Sequence, residues 1–239
     1  AVDLEPPAAA STLISVIIPT LNEAKTIEAT ISTIKKSGRT EILVVDGGSQ
    51  DQTAEIAENL GIKVISVAPS KAAQMNAGAA QAAGNVLLFL HADTRLPENF
   101  EECVSAAATQ KGFCAGAFSL GIASPKKALR LIERVANWRS RFLQMPYGDQ
   151  ALFVTRNLFQ DVGGYPDYPI MEDFELIRRL KKKGKITILM ESVQTSPRRW
   201  LNLGIIRTWF LNQLIIVAYY LGISPQRLAQ WYRRAKGQA

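Results

Sequence analysis

The sequence predicts an α/β protein: a mostly parallel, doubly wound sheet followed by a C-terminal helical extension. Three observations predict it. Short apolar runs alternate with helix-length segments through the first ninety residues, the pattern of strands joined by crossover helices. The central run, Val86 to Leu90, is continuous rather than alternating, as in a strand buried on both faces of a parallel sheet. Two runs end in carboxylates, Asp46 and Asp93, the second beside His91, and in open parallel sheets ligands bind outside the carboxyl ends of the strands.

In chain order, Leu13 to Ile18 is the first strand, stopped by Pro19-Thr20. Asn22 is placed to cap a helix whose Ile27, Ile31 and Ile34 share one face, closed by Gly38. Ile42 to Val45 is a second strand, and Asp51 is placed to cap a helix running to Leu60-Gly61. Val64 to Val67 is a third strand, and Ser70 to Ala83 is a helix of small residues. After Pro97 come a helix near Glu98 to Thr109, a strand Phe113 to Leu120 and a basic amphipathic helix Pro125 to Leu143. Ala151 to Val154 returns to the sheet, and Gly163-Gly164 marks a turn. Met171 to Lys183 starts acidic and ends basic, the favourable order along a helix dipole. Ile186 to Met190 is a last strand, and the final forty residues are helical with a break at Gly222 to Pro225. The expected organisation is a leader at 1–12, a main domain at 13–200 and a helical extension at 201–239.

The 239 residues are 47% hydrophobic and 21% charged, ordinary for a chain that buries a core. The net charge of +7 points to an anionic partner. Nucleic acid is not expected, because no helix-turn-helix, zinc or RNP signature accompanies the charge. Cys103 and Cys114 lack metal-ligand spacing and read as free thiols in a reducing compartment. Ala1 to Ser11 lacks the apolar centre of a signal peptide. Trp209 to Ile223 is the most apolar late segment, yet it is interrupted by Asn212 and Gln213 and falls short of the roughly 20 residues a span needs. It reads as a core helix, a homodimer helix or a peripheral membrane contact. The expected location is the cytoplasm, with contact at the inner face of the membrane left open.

Three polar clusters follow sheet-associated segments: Asp46/Asp51, His91/Asp93 and Glu172/Asp173. Carboxylates in a crevice of a basic protein suggest a divalent metal with a phosphate-bearing ligand. Asp93, with His91, is the candidate metal site; magnesium and manganese both suit the carboxylate, and the imidazole suits manganese better. Read alone, Asp173 is better explained as an acid stabilised at a helix N-terminus, while for Asp46 a ligand-facing role is favoured over that of a turn residue before Gly47-Gly48. Dinucleotide, phosphate-loop and Gly-x-Ser-x-Gly motifs are missing.

Taken together, these residues resemble family 2 glycosyltransferases of the GT-A fold. Val16 to Glu23 is similar to the family's first strand and nucleotide-binding turn, and Val44 to Asp51 to its second. Lys71 with Gln74-Met75-Asn76-Ala77-Gly78 resembles the helix approaching the diphosphate, and Phe89 to Asp93 the strand ending in an Asp-x-Asp metal motif, here His-Ala-Asp. Met171 to Leu176 with Arg178 resembles the Glu-Asp segment that carries the catalytic base. The motifs run in the family's order across residues 13 to 200. The Gln-x-x-Arg-Trp motif of processive members appears only as Pro197-Arg198-Arg199-Trp200, which favours a small, non-processive enzyme of bacterial type.

The resemblance implies transfer of a sugar from a nucleotide-diphosphate donor, a UDP-sugar first among them, to a hydroxyl acceptor, with inversion and metal assistance. It implies that Pro19, Thr20, Asn22, Glu23, Asp46, Lys71, Asn76, His91 and Ala92 bind the donor. Asp173, with Glu172, carries the base; Asp93, with His91, holds Mn2+ or Mg2+; Asp149, Arg199 and Trp200 face the acceptor or diphosphate. A sugar nucleotidyltransferase and a non-catalytic nucleotide-sugar-binding subunit are the rival readings, the second favoured by His91 in place of the usual aspartate.

Overall fold

The computed structural model describes residues 12–34 and 38–235. The expected leader lies outside these except for Thr12, which is buried. Eight strands form one sheet: β1 (Ile14–Thr20), β2 (Thr40–Asp46), β3 (Lys63–Ser66), β4 (Val86–Phe89), β5 (Thr94–Arg95), β6 (Ala115–Ile122), β7 (Phe153–Thr155) and β8 (Ile186–Thr195). Their order is β3-β2-β1-β4-β7-β6-β8-β5. The β1–β2, β2–β3, β1–β4 and β6–β8 pairs are parallel, and β7 runs antiparallel to both β4 and β6. The helices are α1 (Ile27–Ser32), α2 (Thr53–Asn59), α3 (Lys71–Gln81), α4 (Phe100–Ala108), α5 (Lys127–Leu143), α6 (Arg156–Asp161), α7 (Glu172–Lys181), α8 (Arg198–Leu203), α9 (Ile205–Tyr220) and α10 (Pro225–Ala235). Cys103 and Cys114 are free thiols, as expected, and burial pushes Cys114 up to about 11.

The continuous apolar runs are explained by a core on each face of the sheet. Ile14, Val16 and Ile18 of β1 and Val86 and Leu88 of β4 pack into one cluster with Phe100 and Phe118. The alternate residues Ile17, Leu87 and Phe89 point into the other, with Met75 and Leu176. Each fully buried aliphatic side chain contributes roughly 1.5–3 kcal/mol, so a polar residue in either register would weaken a central strand. Helix α3 seats closely on β1 and β2 because residue 78 is glycine: a Cβ there would overlap Ile17 and press on Val45.

Two expected caps fall elsewhere. Helix α1 starts at Ile27 behind Thr26, while Asn22 takes a left-handed φ of 57° and its Oδ1 accepts from the Gln50 N–H at 2.8 Å. Asn22 therefore ties two loops together. Asp51 lies one residue before the N-cap position at Gln52. It accepts from the N–H groups of Thr53 at 3.1 Å and Ala24 at 3.2 Å. The β5 strand, α6 and the polar second half of β8 are additions to the sequence-based outline. All three are short or polar, so periodicity does not reveal them.

Candidate active site

The chain turns from β1 outward to β2 on one side and to β4 on the other. Such a switch point opens a crevice at the strands' carboxyl ends. Asp46 ends β2 beside Thr20 at the end of β1. Its Oδ1 accepts from the hydroxyls of Thr20 at 3.1 Å and Ser49 at 2.5 Å, and its Oδ2 from the N–H groups of Gly48 at 2.9 Å and Ser49 at 2.8 Å. Burial disfavours the carboxylate, but the Ser49 hydroxyl and these N–H groups outweigh it and hold Asp46 below the usual range. Gln74 of α3 pins the same corner, donating from Nε2 to the Thr20 carbonyl at 2.7 Å and the Val45 carbonyl at 2.8 Å. Pro19 pairs in register with Val45 and Thr20 with Asp46; Thr20 is buried and Asn22 exposed.

Across the crevice, Glu172 and Asp173 open α7 behind Met171, whose φ of 70° is left-handed. A non-glycine residue there costs on the order of 1–3 kcal/mol, and such residues cluster at functional sites. Lys71, the first residue of α3, reaches both acids: Nζ is 2.8 Å from Asp173 Oδ2 and 3.1 Å from Glu172 Oε1. Burial would lower the lysine's pKa, but the two carboxylates reverse this and raise it above its ordinary value. Burial pushes Glu172 up, against the pull of Lys71. The other Asp173 oxygen, Oδ1, is buried and has no hydrogen-bond partner among the described residues. Gly148 makes this geometry attainable, since a Cβ at that position would overlap the Asp173 carboxylate.

His91 and Asp149 bring two further unpartnered atoms, Nε2 and Oδ1. Burial, and then the positive charge of Lys71, depress His91 to about 3, so its imidazole is neutral at ordinary pH. Asp149 is shifted up by burial, opposed by Arg139 and Arg199. Arg139 stacks 3.4 Å over the Tyr147 ring beside it. Burial and the charge of Glu23 raise Asp93, and Arg198 opposes them. Arg198 donates to both Glu23 oxygens at 2.7 Å and lies 3.7 Å from Asp93 Oδ2. Ala92 is buried, and its carbonyl accepts from Thr30 Oγ1 at 2.8 Å.

The metal expectation can be tested on the donor set. Among the described residues no three His, Cys, Asp or Glu side chains group into a ligand cage. A magnesium or manganese ion held by one or two protein groups, with substrate phosphates completing its shell, fits Asp93 and the neutral His91. A closed all-protein site does not fit.

Two expected contacts lie apart from this cluster. Asn76 spends both ends of its amide on the Tyr165 backbone, donating to the carbonyl at 2.8 Å and accepting from the N–H at 3.0 Å. Trp200 packs with Ile132 and Ile205 on the cluster of Leu120, Ile122, Leu129 and Ala136. Arg199 lies between the crevice and the C-terminal helices, where it donates to Asn212 Oδ1 at 3.0 Å and to the Tyr232 hydroxyl. Arg139 was not legible as a site residue, because it belongs to no motif; Gln74 stands in the segment resembling the diphosphate helix, but its partners at the Asp46 corner are remote in sequence.

The profile of the family described as "Glycosyl transferase family 2" matches residues 15–162. A PGL/p-HBAD biosynthesis glycosyltransferase of Mycobacterium bovis is 31% identical over 208 residues, covering 78% of this chain and 77% of its own length. The chain belongs to glycosyltransferase family 2. The Haloferax volcanii glycosyltransferase AglE is 37% identical over 91 residues, 34% of this chain and 30% of that protein. Among solved structures, S. aureus TarS 1-349 in complex with UDP-GlcNAc superposes with a TM-score of 0.64 at 18% identity, covering 77% of this chain and 58% of TarS. The match therefore spans little more than half of that 1-349 chain. Mycobacterium tuberculosis glucosyl-3-phosphoglycerate synthase, in complex with Mn2+, UDP and phosphoglyceric acid, gives 0.57 at 23% identity, over 77% of this chain and 71% of that one. These likenesses establish the GT-A fold, and family membership makes the chain a nucleotide-sugar-dependent glycosyltransferase.

Proposed function

We propose that this family 2 glycosyltransferase moves a sugar from a UDP-linked donor to a hydroxyl acceptor with inversion, and that Asp173 is its general base. The observation that carries the reading is the state of Asp173. One carboxylate oxygen is fixed by Lys71 at 2.8 Å, and the other is buried without a partner. A base oriented through one oxygen and left without a partner at the other can take a proton from a hydroxyl that reaches it. The acceptor oxygen bonds to the anomeric carbon as its proton passes to Asp173, and the bond from that carbon to the diphosphate breaks on the opposite face.

Asp46 holds the turn of Gly48 and Ser49 closed, and the corner it forms with Pro19, Thr20 and Asn22 takes the nucleoside. Lys71 holds Asp173 and Glu172 in place. Arg199 and Asp149 stand toward the diphosphate and acceptor, and the neutral His91 turns Nε2 inward. Asp93, with His91, would hold a magnesium or manganese ion, which when bound neutralises charge on the leaving diphosphate. The structural environments of Asn76 and Trp200 argue for positioning roles rather than donor or acceptor contact.

A thermal-shift screen of UDP-, GDP- and dTDP-sugars, each with manganese, magnesium or chelator, tests the reading, because a ligand of the native state raises the midpoint by mass action. The expected result is a shift with UDP-sugars, larger with metal and lost in Asp46→Ala. Asp173→Asn should keep the shift and release no UDP on transfer. Absence of a shift with every donor would overturn the proposal.

A further inference from the structure

Helices α5 and α9 carry apolar stripes on their outer faces. On α5, Leu131, Val135, Trp138 and Phe142 recur one turn apart and are 62%, 44%, 56% and 71% exposed. On α9, Ile206, Phe210, Leu214 and Val217 follow the same spacing at 72%, 62%, 58% and 55%, and Leu221 just beyond them is 77% exposed. The two helices meet through one cluster, where Ile132 of α5 and Ile205 at the start of α9 pack against the buried Leu120, Ile122, Leu129 and Ala136. Single exposed apolar residues are ordinary, but a long stripe on each of two helices that meet marks an interaction surface.

The chain's positive charge is concentrated on α5 and on the C-terminal segment that contains α9. Residues 196–239 contain seven Lys and Arg and no Asp or Glu, whereas the whole chain has a net charge of +7. Helix α5 adds Lys127, Arg130, Arg134 and Arg141, while Arg139 is turned to the Tyr147 ring. Its one acid, Glu133, is turned inward onto the Ile122 N–H and Arg130. An apolar face set among cations suits an interface of acyl chains and anionic headgroups. A second copy of the chain would bring like charge against like charge. No helix among the described residues is long and apolar enough to cross a membrane. At about 1.5 Å per residue, the 16 residues of α9 lie along a surface instead.

We infer that the α5–α9 face docks this protein on an anionic lipid bilayer, with the two stripes at the acyl boundary and the arginines at the headgroups. The contact has a direct route to the acids of α7. Tyr219 of α9 donates to Glu175 at 2.9 Å, and Phe174 meets the Tyr219 and Tyr220 rings edge-on at 5.5 and 5.4 Å. The inference does not depend on the identity of the donor or acceptor.

Co-sedimentation with vesicles tests it. The full chain should pellet with phosphatidylcholine–phosphatidylglycerol vesicles and about tenfold less with phosphatidylcholine alone, because each basic residue near the surface adds to the attraction. Binding should also fall at about 1 M salt, where the Debye length is about 3 Å. Trp138→Glu with Phe210→Glu should abolish pelleting. Arg233→Gln with Arg234→Gln should weaken it on anionic vesicles only. Circular dichroism and the donor thermal shift should match the parent in both variants, since all four side chains lie outside the crevice. Failure to pellet with any vesicle, or equal pelleting of the Trp138/Phe210 variant, would overturn the inference. So would a dimer by light scattering that the same substitutions dissolve while the chain ignores lipid.

Discussion

Lys71 Nζ lies 2.8 Å from Asp173 Oδ2, joining the first residue of α3 to the second residue of α7 across 102 positions of sequence. The lysine is the sole ion-pair partner found for Glu172 or Asp173 among the described residues. Removing it leaves two adjacent carboxylates without a counter-charge. Lys71→Met should therefore lower stability by about 1–3 kcal/mol, discounted from a fully buried pair because the lysine is partly exposed. Turnover should fall about a hundredfold, as a misplaced catalytic group commonly produces. Urea unfolding and steady-state kinetics check the two effects, and parental kinetics would remove Lys71 from the site.

Gly148 offers a gentler perturbation. Its substitution by alanine adds one methyl group against the Asp173 carboxylate. Gly148→Ala should reduce kcat by about tenfold to a hundredfold while leaving the donor-dependent thermal shift unchanged, since a displacement near 1 Å suffices for such a loss. A variant that loses donor affinity and keeps kcat would show that Gly148 shapes the donor pocket instead.

Asn76 separates structural from ligand roles. Because both amide ends serve the Tyr165 backbone, Asn76→Ala should cost about 1–3 kcal/mol of stability through the groups left unpaired. Donor affinity should hold within about twofold. Isothermal titration beside thermal melting distinguishes this from a direct donor contact.

Glu175 makes the α7–α9 joint sensitive to acid. Burial opposes its ionisation, but hydrogen bonds from Arg178, Tyr219 and Arg179 hold the carboxyl down at about 2, against an ordinary 4.5. Its folded pKa lies below the unfolded one, so its contribution is complete above pH 4.5 and fades as pH falls toward 2. Tyr219 behaves in the opposite sense. Burial and then Glu175 push it up to about 12 from 10, so its contribution is complete below pH 10 and fades as pH rises through 12. Urea midpoints measured from pH 2 to 6 should show Glu175→Gln with a flatter acid limb than the parent, the two converging near pH 2.

The legible part of the fold was the part set by local pattern. Val86–Phe89 is buried on both faces, so every position had to be apolar and the run announced itself. Helix α3 was legible from its run of small residues, and in the structure Ser70 caps it by accepting from the Ala73 N–H at 3.3 Å. The antiparallel entry of β7 between β4 and β6 was not legible, since three residues carry no sign of strand direction. Within the crevice, Asp46, His91, Asp93 and Glu172-Asp173 stood out because they follow strands or open a helix. Which of them Lys71 pairs with is a tertiary fact. The same holds for Arg198, visible in sequence only within the partial Pro197-Arg198-Arg199-Trp200 motif until the fold laid it between Glu23 and Asp93.

The antiparallel β7 strand has an architectural consequence. It stands between β1–β4, which bear the proposed nucleoside corner, and β6–β8, which lead on to the C-terminal helices. The two parallel halves share no ladder except through its three residues, with Phe153 ring-stacked on Phe113 and tilted against Phe118 at that seam. What holds the halves together is therefore packing rather than backbone pairing: on one face Val16 and Leu88 share a core with Phe118 and Val193, and on the other Ile17 and Leu87 share one with Ala115 and Ile186.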